Sequence, residues 1–169
     1  MELISPERRN ELMWAGRSFL KLEFRDRYAI DDDLFSAWRR GDKEVLIEYF
    51  APWLDQVAAE VAAGRRLRRV RIVSEPLSEY QRTLLEVSDL GVDAGEELRW
   101  LPRRLVSNLP LPGNDCFVFD DFVIFNVLDG NDERVEIQLH REPETVKFCR
   151  DAFEAAWDLA TPHGEFKPA

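Results

Sequence analysis

Charged and apolar residues alternate from Arg66 to Val73, so an extended chain puts Val70 and Ile72 on one side and Arg69 and Arg71 on the other. That predicts a strand. Ser74-Glu75-Pro76 ends it, because proline has no N–H for the ladder. Ser78 is an N-cap residue and Gln81 stands three positions on, the spacing of a capping box. Tyr80, Leu84, Val87 and Gly91 then recur at helical spacing, with Leu85 and Leu90 widening the stripe. Gly91 fits the left-handed residue that closes a helix. After an Ala94-Gly95 turn, Leu98 and Trp100 flank Arg99 in a second strand that stops at Pro102. Strand, crossover helix and strand over about 66–101 predict a parallel pair in a right-handed βαβ unit.

The remaining chain reads in the same way. Ser5-Pro6 starts a helix that ends near Gly16. Leu20, Leu22 and Phe24 alternate with Lys21, Glu23 and Arg25 as a half-buried strand. Asp31–Asp33 fits the acidic first turn of a helix carrying Leu34, Phe35 and Trp38. Gly41-Asp42 breaks that helix, Lys43 to Tyr49 adds a turn or two, and Pro52 opens a further helix, Trp53 to Ala63. A connector with Pro110, Pro112 and Gly113 leads to strands at 116–119, 122–128 and 134–140. Asp120-Asp121 and Asp129-Gly130-Asn131-Asp132 turn between them, and Val135, Ile137 and Leu139 point inward. Pro143 opens a last helix with Val146, Cys149, Phe153, Ala156 and Trp157 on one face. The expected fold is α/β (or α+β): a single mixed sheet with the βαβ unit, a C-terminal antiparallel meander and covering helices. One domain spans 1–162, with 163–169 a loosely ordered tail.

Composition narrows the function classes. Hydrophobic content of 45% supports a real core, which argues against wholesale disorder. The net charge of −10 disfavours direct nucleic-acid binding, whose affinity rests on neutralising phosphates. Cys116 and Cys149 have no Cys-x-x-Cys spacing, so a zinc ribbon or disulfide scaffold is not expected, nor any metal or cofactor. The N-terminal segment lacks the apolar stretch of a signal peptide. No apolar run approaches the ~20 residues of a membrane span. The expectation is a cytoplasmic protein without a membrane partner.

The candidate chemistry is an anion-recognising set: Arg69, Arg71, Glu75, Tyr80, Arg82, Arg99 and Arg103. Arginine forks match carboxylate and phosphate, Arg99 falls beside Arg69 or Arg71 if the two strands are neighbours, and ligands of α/β sheets sit outside the carboxyl ends of parallel strands. The competing reading is a structural network with Glu75, Glu79, Glu96 and Glu97, with Tyr80 simply the first core residue of its helix. A Cys149 or Cys116 pairing with His140 would need a base within reach of the thiol, yet Cys149 lies on an apolar helix face. The acidic runs read as solvated turns, and there is no Gly-rich phosphate loop. No catalytic residue is assigned.

R-V-R-I-V-S-E-P-L-S-E-Y-Q-R at Arg69–Arg82 and A-G-E-E-L-R-W-L-P-R at Ala94–Arg103 resemble an actinobacterial family of unknown function encoded beside helix-turn-helix regulators of the lambda-repressor type. L-E-F-R-D-R-Y at Leu22–Tyr28, L-P-G-N-D-C-F-V-F-D-D at Leu111–Asp121 and F-E-A-A-W-D-L-A-T-P-H at Phe153–His163 extend the resemblance over nearly the whole chain. It implies an accessory or sensor role in regulation and supplies no catalytic residues. A topological similarity to the phospholipase D-like fold comes without that superfamily's catalytic pattern, since neither His140 nor His163 is followed by the required Lys and Asp.

Three functions remain open on these grounds. One is a non-enzymatic accessory or sensor protein that binds a helix-turn-helix regulator protein, a small anionic ligand, or both. Another is a small-molecule-binding enzyme or degenerate enzyme of phospholipase D-like topology. The last is a structural homodimer module.

Overall fold

The computed structural model describes residues 1–28 and 32–169. Among the described residues, one open sheet of eight strands runs in the order β1-β7-β6-β5-β2-β3-β4-β8. In chain order these are β1 (Glu2–Leu3), β2 (Ser18–Glu23), β3 (Arg66–Val73), β4 (Glu97–Pro102), β5 (Asp115–Val118), β6 (Val123–Leu128), β7 (Arg134–His140) and β8 (Thr161–Pro162). β2, β3 and β4 are parallel neighbours and the other pairings are antiparallel. The mixed α/β sheet, the βαβ unit and the C-terminal meander are as the patterns predict.

Helices cover both faces, so no side of the central strands is left to water. On one face lies α6 (Pro143–Leu159), with proline at its first turn. Its Val146, Cys149, Phe153 and Ala156 recur at helical spacing and bury against Leu20, Leu22, Val70, Ile72 and Cys116. The opposite face carries two apolar clusters. One joins Leu12 and Met13 of α1 (Pro6–Met13) and Val57 of α3 (Lys43–Ala62) to Phe19, Leu67 and Phe117 of the strands. The other joins Phe35 of α2 (Asp32–Arg39), Leu46 of α3 and Tyr80, Leu84 and Val87 of α4 (Glu79–Val87) to Val73, Leu98 and Trp100. Between these clusters runs a strip of charged side chains.

Several local expectations are corrected. Pro52 does not open a helix; it lies inside α3, which is continuous from Lys43 to Ala62. Its ring removes one ladder bond, at the carbonyl of Glu48, a residue on the exposed side of the helix. Ser78 does cap α4, accepting from the Gln81 N–H at 3.1 Å. The Gln81 amide does not return the bond; it donates to the Arg25 carbonyl at 2.7 Å, tying α4 to the end of β2. The left-handed glycine is Gly95 (φ +103°) and not Gly91, which sits within α5 (Asp89–Asp93). Val135 is 57% exposed, unlike Ile137 and Leu139. Near the C-terminus, His163 accepts from Trp100 Nε1 at 2.8 Å and Phe166 stacks on Trp100 at 5.5 Å. In the acidic run 31–33, Asp31 lies outside the described residues, and α2 begins at Asp32.

Candidate functional site

Parallel register places Lys21 opposite Arg69 and Glu23 opposite Arg71, all on the face away from α6. Glu23 is the centre. Its Oε1 lies 2.5 Å from Lys21 Nζ and 3.4 Å from Arg69 Nη1, and its Oε2 accepts from Arg71 Nε at 2.7 Å. Arg69 Nε donates to Glu96 Oε1 at 2.7 Å, and Arg71 Nη1 donates to Ser88 Oγ at 2.6 Å. A Cβ at Gly91 would come within 2.9 Å of Glu96 Oε2, so a glycine there leaves room for that carboxylate. Beside this group, Asp115 accepts from the Tyr28 hydroxyl and, at 2.8 Å, from the Phe24 N–H.

Glu23, Arg69, Arg71, Glu96 and Asp115 are each less than 9% exposed. Charges this deep persist only when paired and hydrogen-bonded. Burial opposes the charged form of Glu23, but Lys21, Arg69 and Arg71 outweigh it and hold the carboxyl well below the usual range. Asp115 goes the other way: burial dominates and, with Glu23 nearby, raises it to about 6 although Tyr28 donates to it. Burial and the carboxylates of Glu23 and Asp115 together push the Tyr28 phenol well up.

Above this floor is a cavity of about 1080 Å³. Trp14, Trp53 and Phe117 line it on one flank and Tyr28, Phe35 and Tyr80 on the other. Among the described residues, no hydrogen bond engages Nη2 of Arg69 or Nη2 of Arg71. Asn126 Oδ1, on the same cavity wall, is buried without a donor. A concave site with apolar walls and a few convergent polar groups is the usual form of a small-molecule pocket.

Of the arginine set expected from the sequence, the structure brings Arg69, Arg71 and Tyr80 to this cavity. The other four stand elsewhere. Arg99 is in register with Val70, so it points to the α6 face, where it lies 4.1 Å over the Trp157 ring and donates to the Trp157 carbonyl. Arg103 knits the ends of β2 and β3, donating to the Phe24 carbonyl, to the Ile72 carbonyl at 3.2 Å and to Ser74 Oγ at 3.1 Å. Arg82 donates to the Leu77 carbonyl at 2.6 Å, and Glu75 pairs with Arg104 at 3.0 Å. Cys116, on β5, and Cys149, on α6, are buried free thiols in the core between helix and sheet, while His140 meets Phe125 edge-on and pairs with Glu142 at 3.3 Å. Among the described residues, no three His, Cys, Asp or Glu side chains gather as a metal site.

Lys21, Glu23, Tyr28, Asp115 and Asn126 were missed from the sequence. The signal available was indirect: a parallel strand pair needs helices on both faces, which buries the polar alternates of β2 and β3.

The architecture defines an α/β domain with a ligand-sized cleft on one sheet face. The chain belongs to the domain family of unknown function DUF6879, which it matches over residues 8–168. No curated protein matches it. One similar solved structure is TrmBL2, an archaeal chromatin protein whose structure shows a novel mode of DNA binding. The identity is 14% and the TM-score 0.47, over 91% of this chain and 48% of that one. This chain thus spans about half the length of that protein, and a likeness of this degree carries no argument about what the chain binds. The expectation that direct nucleic-acid contact is absent stands in conflict with that DNA-binding neighbour and is withdrawn. The physical reason is that a net charge of −10 is a sum over the whole chain and does not describe any one stretch of surface. No helix among the described residues is long and apolar enough to cross a membrane.

Proposed function

We propose that this domain is a ligand-binding module, and that its cavity takes a small molecule with a polar, anionic part and a flat apolar body. The observation that carries this reading is the cavity of about 1080 Å³ whose floor is a buried charged strip and whose flanks are aromatic. Arg69 and Arg71 are fixed by Glu96, Glu23 and Ser88, so their remaining N–H groups are held in place before a ligand arrives. Pre-ordering of this kind lowers the entropic cost of binding. The aromatic flanks supply apolar area and ring-stacking surfaces, and Asn126 Oδ1 supplies an acceptor. In this reading the accessory or sensor role expected from the family resemblance is the transmission of ligand occupancy to a regulatory process.

The test uses the tryptophans that line the cavity. Titrating the full chain with a panel of small aromatic anions should change the emission of Trp14 and Trp53 and raise the melting temperature. Leu90→Trp, which narrows the cavity from α5, should abolish both responses. A panel that leaves emission and melting unchanged, or a response that survives Leu90→Trp, would remove the support for this site.

A further inference from the structure

The rim of the same cavity holds an electrostatic arrangement that the floor does not explain. Arg9, on α1, and Arg134, at the start of β7, both line it. β1 pairs with β7, and the Ile4 N–H donates to the Ile137 carbonyl at 3.0 Å, which sets the start of α1 beside the start of β7. Arg9 is half-buried, and among the described residues its guanidinium donates only to Asn10 Oδ1, at 2.9 and 3.2 Å. Among the described residues, no carboxylate lies within ion-pair distance of Arg9 or Arg134. The two acids at this rim do not serve them: Asp132 is 3.7 Å from Arg25, and Glu133 makes no ion pair among the described residues. Burial, and then the like charge of Arg134, pull Arg9 down to about 10.

Two guanidinium groups therefore line one rim, close enough to repel, without a carboxylate partner among the described residues, in a chain whose net charge is −10. With carboxylates so abundant, a structural pair would ordinarily acquire one. Two adjacent forks with free donors suit a dianion with several acceptor oxygens, which describes a phosphate monoester near neutral pH. The aromatic flanks lie in the same cavity, ready for the body of such a molecule.

We propose that Arg9 and Arg134 form a phosphate clamp at the cavity rim, and that the ligand is a small phosphate monoester whose body enters between the aromatic flanks. This rests on the ligand-binding reading above and adds the chemical class of the ligand and the residues that select it.

The experiment is a titration of the full chain with inorganic phosphate, phenyl phosphate and benzyl alcohol at constant ionic strength, read by calorimetry and by Trp14 and Trp53 emission. Phenyl phosphate should bind more tightly than inorganic phosphate, and benzyl alcohol more weakly than either. Arg9→Gln and Arg134→Gln should each weaken phenyl phosphate by about tenfold or more, since each removes a charged hydrogen bond. Neither should lower the melting temperature of the free protein, because each relieves a repulsion. Phosphate binding that is indifferent to both substitutions would overturn the clamp. So would a free-protein melting temperature that falls in both variants, which would show that the pair is structural. If benzyl alcohol enters the cavity while neither phosphate does, the clamp fails and the ligand-binding reading stands; if nothing enters, both fail. Binding of a DNA oligonucleotide that is steeply salt-dependent and lost in both variants would replace the small ligand with nucleic acid.

Discussion

Glu23 is one carboxylate serving three cations, and its removal is the sharpest test of the buried strip. Glu23→Gln keeps the shape of the side chain and removes its charge. Lys21, Arg69 and Arg71 would then share a confined space with only Glu96 and Asp115 in compensation. Breaking a buried ion pair by removing one partner costs about 3–5 kcal/mol. Against a total stability of roughly 5–15 kcal/mol for a domain, that is a large share. For a chain of this size it corresponds to a fall in melting temperature of roughly 6–20 °C. The assay is urea unfolding followed by circular dichroism, with the midpoint expected to fall and the slope to stay the same. Lys21→Met in the Glu23→Gln background removes one of the stranded cations and should recover about 1–2 kcal/mol, a coupling that a double-mutant cycle isolates. A Glu23→Gln loss below about 1 kcal/mol, or strictly additive effects of the two substitutions, would refute the idea that Glu23 neutralises this strip.

Other expectations follow from neighbouring geometry. Asp115 titrates at about 6 in the fold and at 3.8 as a free side chain, so the folded state holds the proton more tightly. The stability this provides is full below pH 3.8, declines as pH rises to 6 and is gone above it, a swing of about 3 kcal/mol. Asp115→Asn should flatten the urea midpoint across that window; an unchanged slope against pH would count against the assignment. Glu23 has the opposite sign: its depressed titration contributes stability above about pH 4.5 that is lost on further acidification. Gly95→Ala should cost about 1–3 kcal/mol, because φ is +103° and the new Cβ would sit 2.9 Å from Val61 Cγ1. Gly130→Ala meets nothing within 4 Å and should fall within about 0.5 kcal/mol of the parent in the same urea-unfolding assay. Trp100→Phe removes the donor to His163 Nδ1, a loss of about 1 kcal/mol. Hydrogen exchange should then speed up over 161–169 and not in β3; unchanged exchange in the tail would contradict its docking.

What the sequence discloses depends on the range of the signal. The alternation of Arg69 and Arg71 with Val70 and Ile72 is local, and it gives the strand and the facing of its side chains correctly. Arg99 shows where that stops. Its strand is legible, but its parity relative to β3 is set by register, and a shift of one residue reverses its face. Pro52 reads as a helix start because proline favours first turns, yet packing on both sides of it holds one helix together. Glu23 alternates with apolar residues, as solvent-facing positions do, and Asp115 follows Gly113-Asn114 at the mouth of its strand, where a turn residue is expected. Only the approach of α2, α3 and α4 over that face turns them into a buried floor, and their partners Arg71 and Tyr28 are 48 and 87 residues away along the chain. The Arg9–Arg134 juxtaposition is less visible still, because it depends on β1 closing the sheet beside β7.

The most direct test of the cavity as a binding site is native mass spectrometry of the full chain, purified gently in volatile buffer. The account predicts a protein mass increased by one small molecule per chain, released on collisional activation, reduced in Arg9→Gln and absent from Leu90→Trp. A bare chain mass in the parent protein, unchanged after incubation with phenyl phosphate at millimolar concentration, would contradict it.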